Sequence, residues 1–339
     1  MKKLLAGSAL ALVAMSGAAM AESHSAGTLC LITKNNTNPF FVKMREGAEA
    51  RANELGMNLM AFAGVTDGDA APQISAIENC VAAGAKGILI TASNDSVTPA
   101  LIDARAAGVL VIALDTPLAD PEAQDMTFAT DNFEARLLIG KWAAATLGDD
   151  AANAKIAMLD INKDNISVDV ARDTGFLVGF GIEVPDLTVM GSETDPRVVG
   201  HESSDANPEG GLRAMETLLA KDPDINVIYT INEPAAEGAY QAMKNAGKEG
   251  QALIVSVDGG CPGVASVKSG VIGATSQQYP LLMASKGIEA IVAYAKDGTK
   301  PTVTEGLSFF NTGVNLVTDK PAEGVPSIDT VKGTELCWG

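Results

Sequence analysis

Short apolar runs alternate with amphipathic segments along almost the whole chain. "TLCLIT", "NLMAFA", "GILIT", "GVLVIAL", "MTFAT", "KIAMLD", "VIYTI", "ALIVSV" and "VIGATS" read as strands. Between most of them lie stretches of helical length and period, such as Phe41, Met44, Ala48, Ala52 and Leu55 on one face. This alternation predicts parallel sheets covered by helices on both sides, and continuous apolar strands suit burial on two faces. Asn38-Pro39, Thr98-Pro99 and Asn207-Pro208 read as a cap followed by proline at the first helical position, where an N–H has no partner to lose. "AAGAKG", "RAAGV" and "KNAGKEG" place glycines at helix ends. No low-complexity linker interrupts the pattern, so domain boundaries are a matter of topology.

Two strands finish alike: "VIAL" runs into Asp115 and "IVSV" into Asp258. Ligands of open α/β sheets bind outside the carboxyl ends of strands. An acid at that place in each half of the chain predicts two sheets facing one another across a cleft. The plainer reading is that each aspartate caps a turn.

The amino end departs from the pattern. Met1-Lys2-Lys3, the apolar "LLAGSALALVAM" and Ala19-Met20-Ala21 read as a signal peptide over residues 1–21, with the mature chain starting at Glu22. The apolar stretch is too short to remain as a membrane span. Export to a periplasm is expected. Removing Lys2 and Lys3 from the 24 basic residues leaves 22 against 42 acidic ones, a net charge of −20. Such a field repels nucleic acid and favours neutral partners.

Cys30, Cys80, Cys261 and Cys337 are an even number in an oxidising compartment, which permits two disulfides. Of the three possible pairings, the preferred one joins Cys261 to Cys337, pinning the carboxyl tail, and Cys30 to Cys80, a strand to its covering helix. Buried free thiols are the alternative.

Signatures of catalysis and metal binding are poor. There is no G-x-G-x-x-G after the first strand, no P-loop, no H-E-x-x-H and no G-x-S-x-G. The two histidines are His24, in the amino-terminal tail, and His201, read as lying on a loop before the "NPEGG" helix. "DINKDNISVDVA" begins like a calcium loop with Asp160, Asn162 and Asp164. It then places Asn165 where glycine belongs and Ala171 where a bidentate glutamate is needed. "TDGDA" is too short for a metal site. No metal and no cofactor are expected.

"TNPFF" after the first strand, "VIALD", "ATDN" ending in Asn132, "ARDTGF" around Arg172, "TINEPAAEGA" around Asn232, "VSVDGG" around Asp258 and "ATSQQYP" around Gln278 follow one another in order. Their succession resembles the periplasmic sugar-binding proteins of the ribose-binding type, receptors of ATP-driven importers. The resemblance covers essentially the whole mature chain and implies an α/β fold of two doubly wound parallel-sheet lobes joined by three hinge crossings. The lobes would be residues 28–130 with 279–308, and 131–278 with 309–339. It further implies ligand contacts from Asn38, Phe40, Phe41 and Asp115 in the first lobe, with Thr91 and Ser93 closing the third strand and Thr130 beside the first crossing. Arg172, Asn232, Asp258 and Gln278 would come from the second lobe and the crossings.

These residue types suit a monosaccharide. Phenyl faces attract its C–H groups and exclude water. Carboxylates accept from hydroxyls, the guanidinium donates, and amides do both. Phe40 and Phe41 have plain core packing as a rival role, and Asn38 a helix cap. Arg172 has a surface salt bridge and Asn232 a turn as theirs.

The chain departs from the ribose receptors at Thr116, where they have an arginine, and in "SSDANPEGG", which lacks their phenylalanine. "ITKNNTNPFFVKM" is closer to the fructose-binding branch. The expectation is a monomeric, non-enzymatic binding protein that closes on a small neutral sugar and presents it to an ABC permease in the inner membrane. A polyol, nucleoside or signalling furanose is the alternative ligand, and a sugar-active enzyme the weaker alternative. A DNA-binding regulator is set aside, because a signal peptide stands where its helix-turn-helix would be.

Overall fold

The computed structural model describes residues 27–339, so the expected signal peptide and His24 lie outside the described residues. The first half of the chain runs β1 (Thr28–Thr33), α1 (Pro39–Glu54), β2 (Asn58–Ala63), α2 (Ala71–Ala82), β3 (Gly87–Ile90), α3 (Thr98–Ala106), β4 (Leu110–Leu114) and β5 (Met126–Ala129). The second half repeats the plan with α4 (Asn132–Leu147), β6 (Ile156–Asp160), α5 (Ser167–Phe180), β7 (Val198–Ser203), α6 (Pro208–Lys221), β8 (Val227–Thr230), α7 (Glu233–Asn245), β9 (Leu253–Asp258), α8 (Cys261–Ser269) and β10 (Ala274–Gln277). Then follow α9 (Pro280–Asp297), β11 (Phe310–Asn311), β12 (Asn315–Val317) and α10 (Thr330–Leu336).

Two six-stranded sheets result, in the orders β2-β1-β3-β4-β5-β11 and β7-β6-β8-β9-β10-β12. All pairs are parallel except β10 with β12. The inner strands β3, β4, β5, β6 and β8 are buried along their whole length, as a sheet covered on both faces requires. Side chains from one face of the first sheet pack with Phe41, Met44 and Ala48 of α1 and with Met283, Ile288 and Ile291 of α9. Those from the other face pack with Ile77 of α2 and Leu101 of α3. The second sheet is covered by α4 and α5 on one side and by α6 and α7 on the other.

The chain passes between the sheets three times: from β5 to α4, from β10 to α9, and from β11 to β12. The third passage lies beyond Asn311, a few residues later than the boundary at 308 read from sequence, because Phe310 and Asn311 still pair with Phe128 and Ala129.

Caps explain where several helices start. Asn38, Asn207 and Asn232 accept hydrogen bonds from the N–H groups of Phe40, Gly210 and Ala235. Thr98 does not cap α3; it is the first helical residue, after a short turn that Asn94 caps. Leu55, expected on the buried face of α1, ends the helix exposed. His201 is on β7, not in a loop. β7, β11 and β12 were not legible as apolar runs because edge and terminal strands here are short or carry Gly200, His201 and Glu202. Both preferred disulfides are present, Cys30–Cys80 and Cys261–Cys337.

Candidate ligand-binding site

The carboxyl ends of β1, β4, β6, β8, β9 and β10 converge on one cavity between the lobes. Asn38, Phe40, Phe41, Asp115, Arg172, Asn232, Asp258 and Gln278 all line it, together with Lys34, Asp67, Ile161, Val168, Ala206 and Ile231. The cavity volume is only about 30 Å³. The lobes are therefore drawn close together.

Phe40 and Phe41 combine the ligand-wall and core-packing roles. Both are buried in the core of the first lobe and both reach the cavity wall. Their rings meet edge to face at 5.5 Å, and Phe40 packs at the same distance on Trp338. Trp338 in turn donates its indole N–H to the carbonyl of Gln278 at 2.7 Å. The disulfide at Cys337 thus anchors an aromatic ring that supports both an apolar and a polar wall residue.

Arg172, on α5, is held from three sides. Its Nε donates to Asn132 Oδ1 at 2.7 Å, its Nη1 to the carbonyl of Ile231 at 3.0 Å, and its Nη2 lies 3.6 Å from Asp115 Oδ1. Both side chains of this ion pair are only 6% exposed, so it is no surface salt bridge. Asp115 Oδ2 accepts from Thr116 Oγ1 at 3.0 Å, while its Oδ1 is buried without a hydrogen bond among the described residues. Asp258 Oδ1 accepts from Gln278 Nε2 at 2.8 Å, and Gln278 Oε1 is likewise unpartnered. Buried acceptors without donors are costly, and a hydroxyl-bearing ligand would satisfy them.

Asp115 and Asp258 also share a backbone feature. Each ends the fourth strand of its doubly wound unit with a positive φ, 63° and 137°. Such conformations are unusual outside glycine and gather at functional sites. The turn after Asp258 is held by Glu233, whose carboxylate accepts from the N–H groups of Gly259 and Gly260 at 2.8 and 3.2 Å and from Thr275 Oγ1 at 2.7 Å. A side chain at Gly259 (φ 66°) would lie 2.3 Å from Gln277 Cβ.

Burial pushes the Asp258 carboxyl up to about 6, and Asp115 adds to this while Arg172 and Gln278 oppose it. Burial also raises Asp67, against the neighbouring Lys34 and the amide of Asn35. Asn232 does not reach the cavity free-handed: its Oδ1 caps α7 and its Nδ2 donates to the carbonyl of Ala206 at 3.0 Å. Asn38 caps α1 through Oδ1 at 3.0 Å, which leaves its amide nitrogen as the group available to the cavity.

Thr91, Ser93 and Thr130 are not brought to the cavity. Gln73 of α2 occupies the strand ends instead, donating to the carbonyls of Thr33 and Thr91 and accepting from the N–H of Ser93. Thr91 turns inward to Met44, and Thr130 ties the first crossing to the third through the carbonyl of Gly313. Lys34, Asp67 and Asn132 were missed. Lys34 and Asp67 follow β1 and β2, so the rule that ligands meet strand carboxyl ends could have found them. Asn132, at the start of α4, bridges Arg172 and the carbonyl of Thr130.

Comparison with known proteins agrees with this architecture. The family model described as periplasmic binding protein domain matches residues 29–300. The ribose import binding protein of Haemophilus influenzae is 33% identical over 290 residues, covering 85% of this chain and 91% of that protein. The D-allose-binding periplasmic protein of Escherichia coli is 27% identical, covering 82% of this chain and 87% of its own length. A periplasmic solute-binding protein of Actinobacillus succinogenes, solved with D-allose bound, superposes with a TM-score of 0.74 at 23% identity, covering 91% of this chain and 99% of that one. With two doubly wound lobes, a shared cavity at their strand ends and a family match over most of its length, this chain belongs to the periplasmic binding protein family.

Proposed function

We propose that the protein is the exported receptor of an ABC importer and captures a neutral monosaccharide between its lobes. One observation carries this reading: Phe40 and Phe41 from the first lobe meet Asp115, Arg172, Asp258 and Gln278 around a single cavity. Aromatic carbon on one wall and charged or amide groups on the others match the C–H faces and hydroxyl edges of a sugar. The relatives named for ribose and allose support the same ligand class.

The wall argues for a sugar other than ribose. Thr116 is spent on Asp115, and Ala206 stands in the segment where the ribose type places a ring. The wall thus lacks the arginine and the phenylalanine of that type, and the likeness of "ITKNNTNPFFVKM" to the fructose-binding branch favours a ketose of the fructose kind. The carboxylates serve as hydrogen-bond acceptors and not as acid–base catalysts.

Capture proceeds by hinge motion at the three crossings, with residues 28–130 and 279–311 moving as one body and 131–278 and 312–339 as the other. The signal peptide directs the chain to the periplasm, where it works as a monomer and docks on an inner-membrane permease.

A thermal-shift panel of ketoses, aldopentoses, aldohexoses, polyols and nucleosides tests the ligand. A ketose or another monosaccharide is expected to raise Tm, since a ligand that binds only the folded state stabilises it. Stabilisation by a nucleoside or polyol alone would overturn the assignment.

A further inference from the structure

We propose that His201, Asp160 and Asp173 form a binding site for a first-row divalent cation, with zinc as the best fit, inside the second lobe. The three residues come from β7, the end of β6 and α5, and their candidate ligand atoms all lie within 4.8 Å of one another. His201 Nδ1 is 2.9 Å from Asp160 Oδ2 and 3.6 Å from Asp173 Oδ2. Those separations bracket the roughly 3.3 Å between neighbouring ligands of a tetrahedral zinc with bonds near 2.0–2.1 Å.

The far side of the imidazole supports the same reading. His201 Nε2 lies 2.9 Å from Glu193 Oε1. A carboxylate there accepts from Nε2–H and orients the ring, so that Nδ1, once a metal displaces its proton, would face the ion between the two aspartates, the arrangement in which metal-bound histidines are usually held.

Asp173 supplies the independent observation. It is fully buried, and neither of its carboxylate oxygens has a hydrogen-bond partner among the described residues. Asp160 Oδ1 is unpartnered as well. Asp169, also fully buried, bonds through Oδ2 to the backbone N–H groups of Ile161 and Asn162. Asp160, Asp169, Asp173 and Glu193 therefore crowd one region around His201, with Arg136 stacked 4.5 Å over the nearby Tyr229 ring. The mutual repulsion of these carboxylates is what a divalent ion would offset. The side chain of His201 is 20% exposed, which gives the ion a way in.

The calcium-like run after β6 is not this site. It shares Asp160 alone, and the other ligands arrive from α5 and β7, where no sequence spacing links them. A mixed imidazole–carboxylate set suits zinc or manganese better than calcium or magnesium.

The test uses tag-free, full-length mature protein stripped with a chelator, then given Zn²⁺, Mn²⁺, Ca²⁺ or Mg²⁺ alone. One Zn²⁺ or Mn²⁺ per chain is expected after dialysis, with a rise in Tm of roughly 4 °C at a hundredfold excess over Kd. Asp173→Asn and His201→Gln should each weaken binding at least about tenfold, and Glu193→Gln about tenfold through the imidazole. With only two histidines in the sequence, the ¹⁵N shift of His201 Nδ1 on adding Zn²⁺ reads the ligand directly, even if a variant fails to fold. No bound cation above the chelated blank, or binding that leaves the His201 nitrogens unmoved, would overturn the proposal. The outcome is independent of whether any sugar binds.

Discussion

At the residue scale, the site depends on charges kept in place by partners that are themselves buried. Asp258 is the clearest case, because its carboxyl is pushed up to about 6 by burial. In the proposed complex a sugar hydroxyl donates to the ionised form, so the deprotonated protein is the one expected to bind. As pH falls through 6, a proton competes with the ligand, and affinity should drop by up to about tenfold per pH unit below that point. Calorimetry with the stabilising sugar between pH 7.5 and 5 checks this. Asp258→Asn should weaken binding about 10- to 100-fold at pH 7.5 and remove this group's part of the pH slope; a slope equal to that of the unaltered protein would assign it elsewhere. Residue types at strand ends were legible in the sequence, which is why Asp115 and Asp258 could be named, while Gln278 was named through the family resemblance. Orientation was not legible. Thr91 and Ser93 end their strand as expected, yet Gln73, 18 residues from Thr91 in sequence, seals the backbone there. The double duty of Asn232 as cap and tether to Ala206 is equally a matter of three-dimensional neighbours.

At the element scale, strands and helices follow directly from the apolar pattern, but the closeness of the helices follows from single glycines. In the second lobe α4 and α5 nearly touch: a side chain at Gly140 would lie 2.2 Å from the carbonyl oxygen of Phe176, and one at Gly179 would lie 2.3 Å from that of Leu137. The obstacles are backbone atoms, so no rotamer change relieves them. Gly140→Val should therefore destabilise the protein by about 3 kcal/mol or more. A denaturant titration measures it, and a midpoint within error of the unaltered protein would show that the helices can separate freely. The same pair of helices carries Arg172 and Asn132, so their spacing sets where the guanidinium meets the cavity. Glycine in "LLIGKW" and "LVGFG" gives no warning of this in sequence, because the reason lies on the neighbouring helix. Edge strands were the other blind spot. β7 alternates too weakly to be read as apolar, although it supplies His201.

At the scale of the whole molecule, the two sheets share one order of their five parallel strands and differ in the sense of the sixth; their carboxyl ends face each other, and contacts bridge them directly. Arg172 of the second lobe faces Asp115 of the first, and Ser167 Oγ donates to the carbonyl of Pro117 at 2.6 Å. The cavity enclosed by Phe40, Asp115, Arg172 and Asp258 is too small for a monosaccharide while these contacts hold, so the proposed binding requires the lobes to part. Ligand-free protein in solution should therefore sample an open state, and a sugar that bonds to both lobes shifts it toward the closed one in proportion to its preference for that state. Small-angle scattering follows the change: the stabilising sugar should lower the radius of gyration of the unaltered protein. Arg172→Ala loses the group that joins Asp115, Asn132 and Ile231, so at the same sugar concentration it should compact less or not at all. Scattering curves that coincide with and without saturating sugar would mean that binding does not draw on lobe closure, and the crossings would then be fixed connections, not hinges.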